Sequence, residues 1–240
     1  MFVKTKGIVL HTTKYSDNSL IAKIYTEKVG TQSFLVKNAF SKKAKIGRPL
    51  FGQLSMLDLT FDLRKQNQLI FIKEASLCKH YTMIPFDMVR SSILFFYNEI
   101  LYKLLFNASE DTALFRCIEE GLDELDQPEC RLADVHIRFL VKLAKVLGLM
   151  PENNYSLKTP YFSIEDSCFS NHYVENLMLD QPASSYLSQL LNHLDDGESV
   201  GMPAKPVRMS LLRGLVQYFE THNESVSNMQ SLNILNEVLN

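Results

Sequence analysis

The residues with the clearest chemistry lie in one stretch, Phe40-Ser-Lys-Lys-Ala-Lys-Ile-Gly-Arg48, which places Lys42, Lys43, Lys45 and Arg48 in a single short loop. Scattered lysines usually do no more than keep a surface wet. Their clustering here points to an anionic partner. Before Met83 there are fourteen Lys and Arg against five Asp and Glu, and from Met83 onward eleven against twenty-two. The net charge of −2 therefore hides a basic head on an acidic body. Such asymmetry is the footprint of a protein that meets a polyanion with one end. Lys4 and Lys6 stand two apart on a strand-like stretch and share a face, and Lys14, Lys23 and Lys37 lie on or beside neighbouring strands. The expected polyanion-binding set is thus Lys4, Lys6, Lys14, Lys23, Lys37, Lys42, Lys43, Lys45 and Arg48. Contacts of this kind supply attraction without reading bases. Tyr15, Tyr25, Phe34 and Phe40 offer stacking surfaces, although aromatics in strands more often pack.

The elements that must position these side chains are strands. Residues 2–12 are rich in β-branched types, Tyr15–Ser19 is a turn cluster, and 20–26 reads as a second strand. Glu27-Lys-Val-Gly30 closes a hairpin with Gly30 free to take positive φ, and 31–38 is the third strand. Residues 50–63 alternate as a long fourth strand and 69–77 as a fifth. Five strands with a long link between the third and fourth suggest an OB-like barrel, with an SH3-like barrel as the alternative.

From Met83 the period changes to three and four. Residues 84–106 carry a wide apolar stripe, with Pro85 suited to a first turn, and are expected to form the central helix of the body. Helices follow over 109–125 and 131–147, the latter ended by Gly148 and Pro151. Residues 152–176 lose the helical period, and Tyr161–Ile164 with Ser167–Phe169 form a short hairpin. Further helices are expected over 182–194, 209–221 and 231–239, with a turn at Asp195-Asp-Gly-Glu198. The expected fold class is α+β: a five-stranded barrel over 1–80, then a helical bundle over 81–240 with a small β insertion near 155–176.

No P-loop, dinucleotide-binding, zinc-protease or nucleophile-elbow motif is present. Cys168 and His172 have ligand-like spacing, but a structural zinc needs four ligands and no second pair accompanies them. His136 reads as a packed or solvated histidine. Cys78, Cys117, Cys130 and Cys168 are far apart, read as reduced, and suit a cytoplasmic setting. The chain has no apolar run of about 18 residues, so no membrane span is expected. No enzymatic turnover, cofactor or metal is expected.

The ordered segments Lys6-Gly-Ile-Val-Leu-His-Thr-Thr-Lys-Tyr-Ser-Asp-Asn-Ser-Leu20, Ile24-Tyr-Thr-Glu-Lys-Val-Gly30 and Leu35-Val-Lys-Asn-Ala-Phe-Ser-Lys-Lys-Ala-Lys45 resemble the N-terminal domain of the RecO family of bacterial recombination mediators. Tyr97-Asn-Glu-Ile-Leu101, Leu147-Gly-Leu-Met-Pro151 and Gln230-Ser-Leu-Asn-Ile-Leu235 extend that resemblance through the body. It implies an N-terminal OB fold and a helical C-terminal domain. It further implies binding of single- and double-stranded DNA, strand annealing, binding of the acidic tail of the single-strand-binding protein SSB, and cooperation with RecR to load RecA. A monomer associated with the nucleoid is the expected state. Many members carry a four-cysteine zinc site after the Gly-Leu-x-Pro segment, and this chain departs there, keeping only Cys168 within 152–176.

Arg116, Arg131 and Arg138 lie on or beside Leu- and Phe-rich helices. They could pair with the carboxylates of an acidic tail whose apolar end enters a groove. A protein-binding scaffold and an RNA-binding factor are the competing readings.

Overall fold

The computed structural model describes residues 2–41, 44–63, 69–194 and 200–239. Two compact units result, Met1–Arg116 and Cys117–Asn240.

In the first unit five strands close a barrel: β1 (Phe2–Lys14), β2 (Leu20–Thr26), β3 (Gly30–Val36), β4 (Met56–Asp62) and β5 (Ile70–Leu77). Their order is β1-β2-β3-β5-β4, with β4 returning to β1 and β3 running parallel to β5. This is the OB arrangement, not the SH3-like alternative. β1 must serve two partners. Phe2–Ile8 pairs with β4, and Gly7–Lys14 pairs with β2. A bulge at Leu10 bends the strand between these duties. Gly7 sits at the crossing, where a Cβ would lie 2.7 Å from Ile24 Cγ2 and 2.8 Å from Leu59 Cδ1. Inside, Val9, Ala22, Ile24, Leu57, Leu59 and Ile70 surround Phe34 and Phe61, whose rings meet edge to face at 4.9 Å.

The alternation predicted over 50–63 yields a strand only from Met56. Pro49 instead starts a 3-10 turn at Arg48–Phe51, and Leu54 takes φ 50. Ala39 and Phe51 are buried in the barrel core, so the loop after β3 is anchored from within.

A 3-10 turn at Ile84–Phe86 precedes α1 (Met88–Leu104), which starts at the Asp87 cap, later than the expected residue 84. α1 belongs to the barrel's compact unit, which corrects the expectation that it forms the centre of the helical body. Its Asn98 amide donates to the Leu10 carbonyl at 2.8 Å. Ile8 and Leu10, on the outer face of β1, are buried. The segment after α1 covers β2 and β3. Thr31 Oγ1 donates to Leu105 O at 2.6 Å, and Thr31 N donates to Ala108 O at 2.9 Å. α2 (Thr112–Asp126) starts where Asp111 accepts from Leu114 N at 2.9 Å.

In the second unit α3 (Val135–Val146), α4 (Gln181–Asn192) and α5 (Lys205–His222) pack together, followed by α6 (Ser231–Val238). α5 starts one turn earlier than its period suggests because Pro206 is accepted in the first turn. β6 (Tyr161–Ser163) and β7 (Cys168–Ser170) form the expected hairpin. An aromatic cluster holds it: Phe162 lies 5.2 Å from Phe169 and 5.7 Å from Tyr218, and Tyr155 packs on Phe169 at 5.4 Å. Among the described residues no helix is long and apolar enough to cross a membrane.

Gly30 takes φ +65, and a Cβ there would lie 2.4 Å from the Ala108 carbonyl. Gly148 takes φ +72 with nothing within 4 Å. Gly148→Ala should therefore cost only the left-handed strain, about 1 kcal/mol. Gly30→Ala adds a backbone clash and should cost about 2–4 kcal/mol, read from urea unfolding midpoints.

Candidate nucleic-acid interface and a charged cleft in the second unit

The loop after β3 is built as a presented surface. Asn38 takes φ 57, Ser41 N donates to Asn38 O at 3.0 Å, and Arg48 N donates back to Ala39 O at 2.9 Å. Between this loop and the start of β5 lies a cleft of about 410 Å³ lined in part by Leu35, Lys37, Asn38, Ser41, Lys45 and Phe71. No carboxylate is among the described lining residues. Lys37 and Lys45 thus meet in one place, with exposed Arg48 on the same loop. Lys42 and Lys43 lie outside the described residues.

The other predicted cations do not join this group. Lys14 pairs with Asp17 at 3.4 Å on the exposed β1–β2 side. Lys23 lies 3.0 Å over the Phe106 ring, and burial lowers its pKa. Lys6 stands opposite Asp58, and Lys4 opposite Thr60, itself paired with Glu74, so the β1–β4–β5 face mixes both signs of charge. Of the four aromatics, Tyr25 and Phe34 are fully buried. Tyr25 donates to the Asp111 carbonyl at 3.2 Å, and burial with the nearby Asp111 charge pushes its pKa up to about 12. Tyr15 and Phe40 are exposed.

Phe71 and Phe2 were not among the predicted stacking residues, yet they are exposed by 53% and 59%. Lys37 Nζ lies 4.5 Å from the Phe71 centroid, Lys73 Nζ 4.6 Å from Phe2, and the Arg48 guanidinium 5.8 Å from Phe40. These are cation–π distances. The signal was available in β5, where Ile70 and Ile72 face the core and Phe71 and Lys73 alternate outward.

The second unit holds a cleft of about 550 Å³ lined by Glu124, Arg131, Arg138, Lys142, Leu190 and Val200 among others. Arg131 and Arg138 are brought together here, but by fully buried Asp134. Arg131 grips it through Nε at 2.9 Å and Nη2 at 2.5 Å, and donates to Val200 O at 2.8 Å. Arg138 bonds the same carboxylate and reaches Glu124 at 2.6 Å, while Lys142 pairs with Glu124 at 3.2 Å. Tyr186 donates its hydroxyl to Asp134 at 2.7 Å. Burial alone would raise the Asp134 pKa. Hydrogen bonds from Arg131 and Tyr186, with the Arg138 and Arg131 charges, hold it below the usual carboxylate range. Arg116 is exposed on α2 and belongs to the first unit.

A zinc ion does not fit the 152–176 insertion. Among the described residues no three His, Cys, Asp or Glu side chains group to hold a metal.

His136 is packed within α3, and burial pushes it down to about 3. The unfolded chain takes up this proton near pH 6.5. Between those values the unfolded state binds more protons, so stability falls on acidification. Asp134 and Glu124 are depressed, so their stabilisation is present above about pH 4 and is lost as pH falls through their folded values. Melting temperature should drop from pH 7 towards pH 4. His136→Gln should flatten the stretch between about pH 6.5 and 4.5 and leave, below it, only the carboxylates' share of the loss. Circular-dichroism melts at closely spaced pH values check both.

Comparison with known proteins divides the chain after the barrel and before α1. Residues 1–81 match the family model described as recombination protein O N terminal, and residues 85–228 match recombination protein O C terminal. The chain is 31% identical to DNA repair protein RecO of Bacteroides fragilis over 241 residues, covering 99% of each chain. It is 30% identical to that of Phocaeicola vulgatus over 239 residues, with 99% of each covered. It is 31% identical to that of Porphyromonas gingivalis over 228 residues, with 92% of this chain and 93% of the relative covered. With an OB barrel at its head, helices in its body and both family models spanning it, the chain belongs to the RecO family of DNA repair proteins.

Proposed function

We propose that this protein mediates recombinational repair by binding, without turnover. Residues 1–80 act as the DNA-binding module, taking single- and double-stranded DNA and bringing complementary strands together. Residues 81–240 act as the partner module. It binds the acidic tail of SSB and works with RecR to load RecA, on the nucleoid and without membrane attachment. The observation that carries the DNA reading is the cleft beside β5. It gathers Lys37 and Lys45 with no carboxylate among its described lining residues, on a loop whose Arg48 is also exposed. Phosphates gain from such a surface and a protein ligand of mixed charge does not.

If Lys37, Lys45 and Arg48 each meet one phosphate, they contribute about −2 to the slope of log affinity against log salt for single strands, from roughly 0.7 per contact. Lys37→Glu with Lys45→Glu and Arg48→Glu should flatten the slope by that amount, weaken single strands and duplex alike, and slow annealing. Melting temperature should stay near the parent's because the charges are exposed. Parental affinity and slope in this variant would remove the DNA site from the loop.

The tail-binding reading rests on the second unit's cleft, where apolar Leu190 and Val200 face the same space as three cations. Arg131 and Arg138 are poor positions for its test. Removing either leaves buried Asp134 short of a partner, a loss on the order of 3–5 kcal/mol. The Lys142 side chain is 41% exposed and better suited. Lys142→Gln should weaken an acidic SSB-tail peptide several-fold, read by fluorescence anisotropy, and leave DNA affinity unchanged.

A further inference from the structure

We infer that the exposed rings of Phe71 and Phe40 are stacking sites for unpaired DNA bases, which makes the cationic cleft prefer single strands over duplex. This rests on the DNA-binding reading of the barrel and adds to it the structure of the strand that is bound. Phe71 is an outward residue of β5, so the fold does not require a ring there: its neighbours Ile70 and Ile72 fill the core. It nonetheless keeps 53% of its surface exposed inside a cleft, with Lys37 over the ring at 4.5 Å. Phe40 repeats the device on the adjoining loop, 37% exposed with Arg48 over it at 5.8 Å. Each pair sets a flat apolar face beside a cation. A nucleotide offers the complement, a flat base beside a phosphate.

The remaining lining agrees. Asn38 and Ser41 border the same cleft and can hydrogen-bond base edges or sugar, and Lys45 adds a second cation beside Lys37. The Leu35–Phe71 register places an apolar strand residue next to the ring, so the floor under a stacked base is dry on that side. The Phe2–Lys73 pair is different. Phe2 stands opposite Asp62 and Lys73 adjoins Glu74, so phosphates meet carboxylates there. The Phe71–Lys37 pair in the cleft, with the Phe40–Arg48 pair on the loop that borders it, therefore carries the inference. Base–ring stacking requires a base out of its own stack, which a single strand offers and a duplex does not.

The test separates stacking from charge. Phe71→Ala should weaken binding of oligo-dT by roughly 5- to 150-fold, the range for loss of one stacked base. Phe40→Ala in addition should weaken it further. Duplex of the same length should change less than about twofold. The salt slope of the Ala variants should equal the parent's, because no phosphate contact is lost. The chain contains no Trp, so Phe71→Trp introduces its sole indole. Its fluorescence should be quenched by oligo-dT and not by duplex, with parental affinity for both. Equal losses for single strand and duplex in Phe71→Ala, or an unquenched indole on a bound single strand, would overturn the stacking role while leaving the DNA-binding reading intact. A parent protein that binds neither polymer would overturn both. Unchanged melting temperatures show that the variants fold.

Discussion

Closure of the barrel by β1 is the constraint on which the first unit depends. One strand of thirteen residues pairs with β2 through one half and with β4 through the other. It can do so because Leu10 is bulged and because Gly7 lets Ile24 and Leu59 approach where a side chain would stand. A closed barrel has no free edge, so its surface is available for binding without inviting strand addition. Closure also settles what each face does. The outer residues Ile8 and Leu10 are buried, and the Leu10 carbonyl, at the bulge, accepts from Asn98 of α1. The β2–β3 face is tied to residues 105–111 through Thr31 and Tyr25. The rim at the start of β5 keeps exposed rings and cations.

The loop after β3 is anchored from the core for the same reason. Ala39 and Phe51 belong to the barrel core, so the segment between them is fixed at both ends. A segment anchored at its ends loses less freedom on meeting a ligand than one that is not.

Charge in the second unit serves a different purpose. Asp134 is fully buried, and Arg131, Arg138 and Tyr186 all bond it. A buried carboxylate needs such partners, since an unpaired one costs several kcal/mol, on the order given for a broken buried pair. The guanidinium groups that suggested a peptide site are therefore first of all structural, and the cleft beside them borrows their field. Tyr155, Phe162 and Phe169 of the insertion pack together and onto Tyr218 of α5. Asn154 adds hydrogen bonds to both backbone groups of Phe169. Aromatic packing holds the hairpin together.

The sequence by itself determined the element types, because period two and period three-to-four are written locally in the side chains. Strand alternation identified all five barrel strands, Gly30 marked its hairpin, and the hairpin at Tyr161–Ser163 and Cys168–Ser170 was visible as a loss of helical period. It also determined the charge asymmetry, which is a count. Element ends were misread where backbone geometry overrode alternation, as at Pro49 and Leu54 before β4. The tertiary structure alone decided which cations lie together. Lys23 and Lys37 look alike in sequence, yet one lies on Phe106 and the other on Phe71 beside the cleft. Tyr25 and Phe40 look equally able to stack, yet one is buried and the other is not. It alone decided that Arg131 and Arg138 converge on Asp134 and, through Val200 and Tyr186, on segments far along the chain. Burial and pairing depend on contacts between residues distant in sequence, and no local pattern encodes them.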